Sequence, residues 1–432
     1  MTAGHAAPTF REALLVWLRV AALSFGGPAG QIAVMHRILV DEKHWIDEPR
    51  FLHALNYCML LPGPEAQQLA TYIGWLLHGV KGGLAAGLLF ILPGFVSILG
   101  LSILYAQFND APLLLGIFFG VKAAVLAVVV EALVRIARRA LKSRWHYAIA
   151  AMAFLAIFAL ALPFPLIIAG AGLAGFALLR NHVPDAEGQV AQPSGGFARS
   201  LRVLLIWGAL WLTPVAALLL ILGPGNVFTQ IAVFYSKMAV VTFGGAYAVL
   251  AYVGQQAVGH FGWLRPGEML DGLGMAETTP GPLIMVLQFI AFMAGWRNAM
   301  GLNPLTAGIL ASVLGVWITF TPCFLWIFLG APYVEALRHN RALNAALSGI
   351  TATVVGVILN LALWFALHVL FARVGEVTAG PLRLQWPDLA SVNGPAVLLS
   401  AAALVAVLRF RIGMLPVIAA CGVAGVAMTQ LV

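Results

Sequence analysis

Charged residues are scarce in this chain of 432 residues: only 9% are Asp, Glu, Lys or Arg, whereas 62% are hydrophobic. A soluble globular chain carries about 25% charged residues. The mean hydropathy of +0.95 also leaves too little polar surface to cover a water-facing fold of this size. The composition therefore excludes soluble enzymes, nucleic-acid-binding proteins and disordered chains, and it predicts a polytopic membrane protein.

Cysteine is rare as well, and the common catalytic motifs are missing. Cys58, Cys323 and Cys421 have apolar neighbours and no CxxC spacing, so we expect buried bystanders rather than a redox or metal site. The sequence contains no GK[ST] of a P-loop, no HExxH and no GxSxG. It therefore lacks the residues that an ATPase, a metalloprotease or a serine hydrolase requires. We expect no enzymatic activity, no cofactor and no metal.

The apolar segments lack the strict alternation of membrane β-strands over about ten residues, so we interpret them as helices. The prediction is an all-α membrane protein of about thirteen crossings, with the N-terminus inside and the C-terminus outside. The first crossing is expected to be an uncleaved helix. The predicted crossings are residues 12–30, 51–78, 84–106, 113–134, 146–162, 166–180, 202–222, 231–255, 267–294, 304–329, 343–371, 391–408 and 413–430.

An internal repeat organises the chain. Several motifs recur 218 residues apart, and two further motifs recur 229 residues apart, in the same order. The first set pairs Arg19 with Lys237, Phe25–Gly27 with Phe243–Gly245, Trp45 with Trp263, and Pro62–Pro64 with Pro280–Pro282. The second set pairs Leu92–Phe95 with Thr321–Phe324, and Gly120–Ala123 with Gly349–Ala352. The chain is therefore a duplication, and we predict a first domain at 1–180 and a second at 223–432.

Residues 181–222 separate the halves and reverse the orientation of the second one. A polar linker rich in Pro, Gly, Gln and Asp is followed by one extra apolar segment, which has no counterpart in the first half. Loop charges agree with a reversal, because matched loops differ in sign and cations collect on the cytoplasmic side. The cations Arg135, Arg138, Arg139, Lys142 and Arg144 match a mixed loop with Arg373, Glu376, Arg383 and Asp388, and Asn109 and Asp110 match Arg338, His339 and Arg341. An inverted-topology repeat, common among secondary transporters, explains this pattern.

The two Pro-Gly-Pro motifs interrupt predicted membrane helices. Proline cannot continue a regular helix, and non-helical backbone within a membrane must be packed in protein or line a cavity. Half-helices that meet at such a break leave N–H groups and a positive dipole end for an anion. A kinked packing helix is the alternative, but recurrence in both halves favours a substrate site. The Phe-Gly-Gly motifs fit either close helix packing or backbone exposed to a ligand.

Polar side chains near the breaks are candidates for substrate contact and coupling. Arg19 and Lys237 either contact an anion or extend from a helix end towards the interface. The hydroxyls of Ser24 and Thr242 contact an oxyanion or their own helix backbone, and Glu65 either carries a proton or complements a helix dipole. The candidate substrate-binding residues are Arg19, Ser24, Phe25, Gly26, Gly27, Pro62, Gly63, Pro64, Gln67, Lys237, Thr242, Phe243, Gly244, Gly245, Thr279, Pro280, Gly281 and Pro282, and the candidate proton-coupling residues are Glu65 and Glu277.

The motifs resemble those of the chromate ion transporter (CHR) family in its long, two-domain form. The resemblance is carried by Phe25–Pro28, Trp45, Leu60–Ala66, the run from Gln68 to Gly74, and Thr279–Pro282. It implies efflux of chromate from the bacterial cytoplasm, driven by the membrane potential or a proton gradient, with competition by sulfate and a chromate-resistance phenotype. The second half departs from the pattern at Ala246, which replaces a proline, so its break is expected to be less sharp.

We expect a secondary transporter for a tetrahedral oxyanion in the bacterial inner membrane. The partners are a small inorganic oxyanion and the lipid bilayer, with no nucleic acid. A passive anion channel, a transporter of another oxyanion such as sulfate, and an intramembrane enzyme acting on a lipid phosphate stay as alternatives. The oligomeric state, including a homo-oligomer, stays open.

Overall fold

The structure is a computed structural model that describes residues 8–25, 27–108, 111–160, 162–180, 196–243, 246–331, 341–379 and 382–430. Three glycines of the candidate site, Gly26, Gly244 and Gly245, lie outside the described residues. The main part of the predicted polar linker, 181–195, also lies outside them, as do the loop residues Asn109, Asp110, Arg338 and His339.

The first half of the chain is helical, with two short interruptions that matter for the site. Asp47 begins α3 by accepting a hydrogen bond from the Arg50 N–H at 2.9 Å, with Pro49 in the first turn. The elements are α1 (Phe10–Leu23), α2 (Gly27–His36), the π-helix π1 (Arg37–Glu42), α3 (Glu48–Leu60), α4 (Glu65–Phe108), α5 (Pro112–Ala140), α6 (Arg144–Phe158) and α7 (Phe164–Leu179).

The second half repeats this order after the extra helix α8 (Phe197–Leu222). Asn226 and Asn303 cap helices by accepting from backbone N–H groups two residues later, each at 2.9 Å. The further elements are α9 (Val227–Val241), α10 (Ala246–Gln255), the π-helix π2 (Gln256–His260), α11 (Glu268–Thr278), a 3₁₀ turn (Leu283–Met285), α12 (Val286–Arg297), α13 (Pro304–Gly330), α14 (Arg341–Leu370), α15 (Gly394–Leu408) and α16 (Met414–Gln430).

A β-hairpin stands where a loop was predicted. The strands β1 (Val374–Ala379) and β2 (Leu382–Pro387) pair antiparallel, with Val374 opposite Pro387. Each strand is six residues long and has no long apolar run. Hydropathy therefore does not predict the hairpin. The apolar segments themselves are helical, as predicted.

Five of the described helices are long and apolar enough to cross a membrane: α4, α5, α8, α13 and α14. Shorter apolar helices accompany them. Helix α4 turns at His78 and Gly79, whose backbone is not helical, at the end of the predicted crossing 51–78. The all-α membrane fold is thus confirmed, and the count of thirteen crossings stays a prediction.

The tryptophans of the repeat motif follow the two π-helices. The Trp45 N–H donates to the Leu39 carbonyl at 2.9 Å, and the Trp263 N–H donates to the Ala257 carbonyl at 2.7 Å. These donors and acceptors are again 218 residues apart. The repeat is therefore visible in backbone hydrogen bonds as well as in side-chain identities.

The chain divides into two compact units, and each takes segments from both halves of the sequence. Unit 1 comprises Met1–Ile103, Ala186–Ala246 and Met275–Asn340. Unit 2 comprises Leu104–Asp185, Tyr247–Gly274 and Arg341–Val432. The sequence repeat at 1–180 and 223–432 is thus a different division from the compact units.

Glycines bring helices into backbone contact within unit 2. A Cβ at Gly120 of α5 would overlap the Cys421 carbonyl of α16, and a Cβ at Gly349 of α14 would meet the Ala171 carbonyl of α7 at 2.5 Å. Small residues let helix backbones approach closely in membrane proteins. These contacts explain why the glycine of the Gly120–Ala123 repeat motif recurs at Gly349.

Replacing Gly120 with alanine should therefore lower stability. We expect Gly120→Ala to cost about 1–3 kcal/mol of unfolding free energy, because the added methyl forces α5 and α16 apart. Gly170→Ala in α7 is the control, since no atom lies within 4 Å of its Cβ position. It should be neutral or slightly stabilising. Thermal unfolding midpoints of the purified variants in detergent measure the difference, and equal midpoints would contradict the packing argument.

Candidate functional site

Both Pro-Gly-Pro motifs are breaks between helices within unit 1. Helix α3 ends at Leu60 and α4 begins at Glu65, while α11 ends at Thr278 and the next turn begins at Leu283. Gly63 has φ +127° and Gly281 has φ +113°, a region that residues with a Cβ rarely adopt. The predicted interruption is confirmed at both motifs.

The two breaks are joined to the opposite half by matched backbone hydrogen bonds. The Gly63 N–H donates to the Thr242 carbonyl at 2.7 Å, and the Gly281 N–H donates to the Ser24 carbonyl at 2.9 Å. Ser24 and Thr242 stand at the ends of α1 and α9, at matched positions of the two repeats. Each Pro-Gly-Pro turn therefore depends on the Phe-Gly-Gly element of the other half.

A second matched contact places each glycine against a proline-containing helix of the other half. A Cβ at Gly281 would lie 2.9 Å from the Gly94 Cα, and a Cβ at Gly63 would lie 3.0 Å from the Cys323 Sγ. Gly94 and Cys323 directly follow Pro93 and Pro322 in the 229-residue repeat. Cys323 is thus a packing residue of the break, which fits the expected bystander role.

Buried glutamine amides surround the breaks. Gln31 donates to the Gly281 carbonyl at 2.6 Å, Gln68 donates to the Pro62 carbonyl at 2.7 Å, and Gln67 donates to the Thr71 hydroxyl at 3.0 Å. Gln288 donates to the Phe95 carbonyl at 2.9 Å. Among the described residues, the Oε1 atoms of Gln67, Gln68 and Gln288 have no hydrogen-bond partner, so the centre of unit 1 contains unused hydrogen-bond acceptors.

The cavity at the first break is small in this conformation. It measures about 10 Å³, and Gly63, Thr242 and Leu287 are among the residues that line it. A cavity of this size has room for one water molecule at most. An oxyanion would therefore enter only after this break opens.

The hydroxyls that were candidates for oxyanion contact donate to their own helices. Ser24 donates to the Val20 carbonyl at 2.6 Å, Thr242 donates to the Met238 carbonyl at 2.5 Å, and Thr279 donates to the Met275 carbonyl at 2.9 Å. For Ser24 and Thr242 this is the predicted alternative of a bond to the helix backbone, and Thr279 makes the same kind of bond. The carbonyls of Ser24 and Thr242, not their hydroxyls, accept from the glycines of the breaks.

The Phe-Gly-Gly elements interrupt the helices of both halves. The N–H groups of Phe25 and Phe243 donate to carbonyls two residues earlier, each at 3.0 Å. Gly27 has φ +69° and begins α2. Helix α9 ends at Val241, and Thr242 and Phe243 are not helical, so the helix of the second half also stops at this motif.

The two candidate cations have different environments. Arg19 forms an ion pair with Glu42 at 2.7 Å, and half of its side-chain surface is exposed. Lys237 is exposed on α9, and no carboxylate of the described residues lies within ion-pair distance of it. The structure does not bring either cation into the cavity at the first break.

The two candidate carboxylates also differ. Glu65 is half-buried and is the first residue of α4, where its charge complements the helix dipole. Glu277 is completely buried one turn before the second break. Both carboxylates therefore lie next to a helix break, where the sequence predicts them.

Unit 2 contains a buried ion pair that the sequence analysis missed. The Lys122 ammonium lies 3.3 Å from the Asp271 carboxylate, whose side chain is 4% exposed, and the Tyr105 hydroxyl donates to the same oxygen at 2.9 Å. Asp271 and Lys122 are 149 residues apart and come from different halves. No spacing rule links them, and only the tertiary contact identifies the pair.

These features define a multi-pass membrane protein with two matched halves whose broken helices are joined to one another. The chain belongs to the chromate transporter family. The model of this family, described as Chromate transporter, matches residues 11–176 and 229–426, one region in each half.

Several relatives carry the same name. The chain is 36% identical to the chromate transport protein of Pseudomonas aeruginosa over 345 residues, which cover 79% of this chain and 77% of the relative. It is 28% identical to the chromate transport protein of Cupriavidus metallidurans over 364 residues, 82% of each chain. The probable chromate transport protein of Synechococcus elongatus is 26% identical over 358 residues, 82% of this chain and 84% of the relative. No solved structure matches the chain.

Adding a Cβ at Gly281, in the second break, should lower stability by more than backbone strain alone does. We expect Gly281→Ala to lose more stability than Gly79→Ala, because both glycines have positive φ but only Gly281 faces backbone within 3 Å. The strain common to both is about 1–2 kcal/mol. Thermal midpoints in detergent compare the two variants, and an equal loss would contradict the close contact with Gly94.

The ion pair of unit 2 should show strong energetic coupling. We expect Lys122→Met to cost up to about 3 kcal/mol because it leaves the Asp271 carboxylate buried without its cation. The double variant Lys122→Met/Asp271→Asn should be more stable than the sum of the single losses predicts. The control cycle uses Glu131 and Arg135, a 3.4 Å pair that is about one-third exposed and should couple by less than about 1 kcal/mol. Additive losses at Lys122 and Asp271 would refute the buried pair.

Proposed function

We propose that this protein is a secondary transporter that exports chromate across the bacterial inner membrane and thereby confers chromate resistance. Membership of the chromate transporter family supports this function. The relatives of Pseudomonas aeruginosa and Cupriavidus metallidurans named chromate transport protein also support it. Because chromate is a tetrahedral dianion similar in shape to sulfate, sulfate is the expected competitor.

The observation that carries the proposal is the pair of joined helix breaks. Broken helices in secondary transporters direct N–H groups and positive dipole ends towards an anionic substrate. Helix α4 begins directly after Pro64, and the first N–H groups of a helix have no partner within it. These groups form the proposed oxyanion site together with the second Nε2–H group of the Gln67 and Gln68 amides, since each amide carries two N–H donors and uses one of them within the protein.

An inverted repeat explains how the substrate site can open to either side of the membrane. In the proposed arrangement, α8 reverses the second half, and the opposed loop charges follow from that reversal. The hydrogen bonds of Gly63 and Gly281 then lie on opposite faces of one substrate site. Opening one bond at a time exposes the site to one side of the membrane, which is alternating access.

Charged side chains assist binding and coupling in this proposal. Arg19 and Lys237 supply positive charge, and Arg19 does so when its ion pair with Glu42 opens. Glu65 and Glu277 are the proton-coupling residues, because a carboxylate in apolar surroundings can exchange a proton during transport. The membrane potential alone favours expulsion of a dianion, by about 4.6 kcal/mol per 100 mV for two charges.

Flux of chromate into and out of proteoliposomes tests the function. We expect saturable chromate flux that excess sulfate inhibits and that responds to an imposed potential or pH gradient. Flux that rises linearly with concentration and ignores the pH gradient would indicate a channel. Turnover of a lipid phosphate without ion flux would indicate the enzyme.

Three variants, of which Arg19→Gln and Glu42→Gln form a matched pair, test the residue roles in the same assay. Arg19→Gln should lower kcat/KM for chromate about tenfold, the effect of losing a charged hydrogen bond, whereas Glu42→Gln frees Arg19 and should preserve flux. Glu277→Gln should remove the response to the pH gradient while potential-driven flux remains. Equal loss in Arg19→Gln and Glu42→Gln would assign Arg19 to the ion pair alone.

A further inference from the structure

Unit 2 contains a cavity of about 400 Å³ to which the sequence motifs do not point. Its polar wall comes from the end of α10, from π2, from α14 and from the β-hairpin. The polar side chains of this wall include Gln255, Gln256, His260, Asn360 and Gln385.

The amides of this wall are not used within the protein. Asn360 is 2% exposed, and its Nδ2 atom has no hydrogen-bond partner among the described residues. The side chains of Gln255, Gln256 and Gln385 also make no hydrogen bond with any described residue. A buried amide without a partner costs free energy, so the Asn360 Nδ2 atom indicates a ligand that supplies the missing bond. The half-buried amides of Gln255, Gln256 and Gln385 line the same cavity and can contact that ligand.

The first half uses the matched positions differently. Arg37 and Glu42, matched to Gln255 and His260, form an ion pair at 3.6 Å, and Glu131, matched to Asn360, pairs with Arg135 at 3.4 Å. In the first half these positions are charged and paired. In the second half they are uncharged amides and an imidazole around a cavity. The duplication has therefore kept the π-helix, a feature frequent at functional sites, and changed its side chains.

The volume of the cavity and the polar groups of its wall indicate which class of ligand can bind. A tetrahedral oxyanion takes the volume of roughly two to three water molecules at about 30 Å³ each, so the cavity holds the ion with part of its hydration. Among the described residues that line the cavity, none is a carboxylate. Amide N–H groups match the oxygens of such an anion, and retained water limits the cost of burying its charge.

We propose that this cavity of unit 2 is an oxyanion-binding site, in which Asn360, Gln255 and Gln256 bind a partly hydrated tetrahedral dianion. The inference rests on the proposed function for the identity of the anion, and it adds a second site to the one at the helix breaks. Uncharged donors hold the ion weakly enough for release.

Equilibrium binding of radiolabelled chromate to the full-length protein in detergent tests the site. Asn360→Leu should lower the affinity about tenfold, the effect of losing a hydrogen bond to a charged group, and Gln256→Leu should also lower it. The control is Thr353→Val on the same helix, which removes a fully buried Oγ1 atom that likewise has no partner but does not line the cavity. Both leucine variants should keep the thermal midpoint, because they remove uncompensated polar groups.

Transport by the same variants separates this proposal from the function. If wild-type protein transports chromate but the affinity and KM of Asn360→Leu and Gln256→Leu equal those of Thr353→Val, the site is overturned and the function stands. If wild-type protein binds chromate with the predicted loss in Asn360→Leu but shows no flux, the site stands and the transport function is overturned. Sulfate should compete for binding in the wild type and in Thr353→Val.

Discussion

The hydrogen bonds from Gly63 to Thr242 and from Gly281 to Ser24 are the constraint on which the rest of unit 1 depends. A Pro-Gly-Pro turn has two residues without N–H donors, so its central glycine supplies the one N–H that can fasten the turn. In both repeats this glycine N–H donates to a backbone carbonyl of the other half. The prolines interrupt the helices, and a hydrogen bond from the opposite half holds each interruption in place.

The same constraint explains why backbone geometry is repeated more faithfully than side-chain chemistry. The helix breaks, the π-helices and the hydrogen bonds after them recur at matched positions. The ion pairs do not recur: Glu42 pairs with Arg19, whereas the matched His260 lies beside a cavity. Backbone bonds between the halves tolerate few changes, whereas side chains that face a cavity or a loop can diverge. This difference is consistent with the two proposed sites, one at the helix breaks and one in the amide-lined cavity of unit 2.

Much of the fold was predictable because it follows from local chemistry. Proline and glycine determine where helices stop, so the interruptions at residues 61–64 and 279–282 were predicted correctly. The β-hairpin was not, since six-residue strands leave a weak pattern. At the helix breaks, sequence spacing identified the interrupted segments but not the use of each atom. Ser24 and Thr242 contribute carbonyls rather than hydroxyls, and this choice depends on the direction of approach of the other half.

The sequence by itself determined the membrane class, the duplication and the positions of the helix breaks, because hydropathy, repeat spacing and the missing proline N–H are properties of the chain. Only the tertiary structure decided which groups meet. It joined Gly281 to Ser24 and Lys122 to Asp271, and it placed Asn360 and the glutamines of π2 and its neighbours around one cavity. These partners come from distant segments, and their contacts arise from packing that no local pattern encodes. Folding therefore determines which distant groups become neighbours.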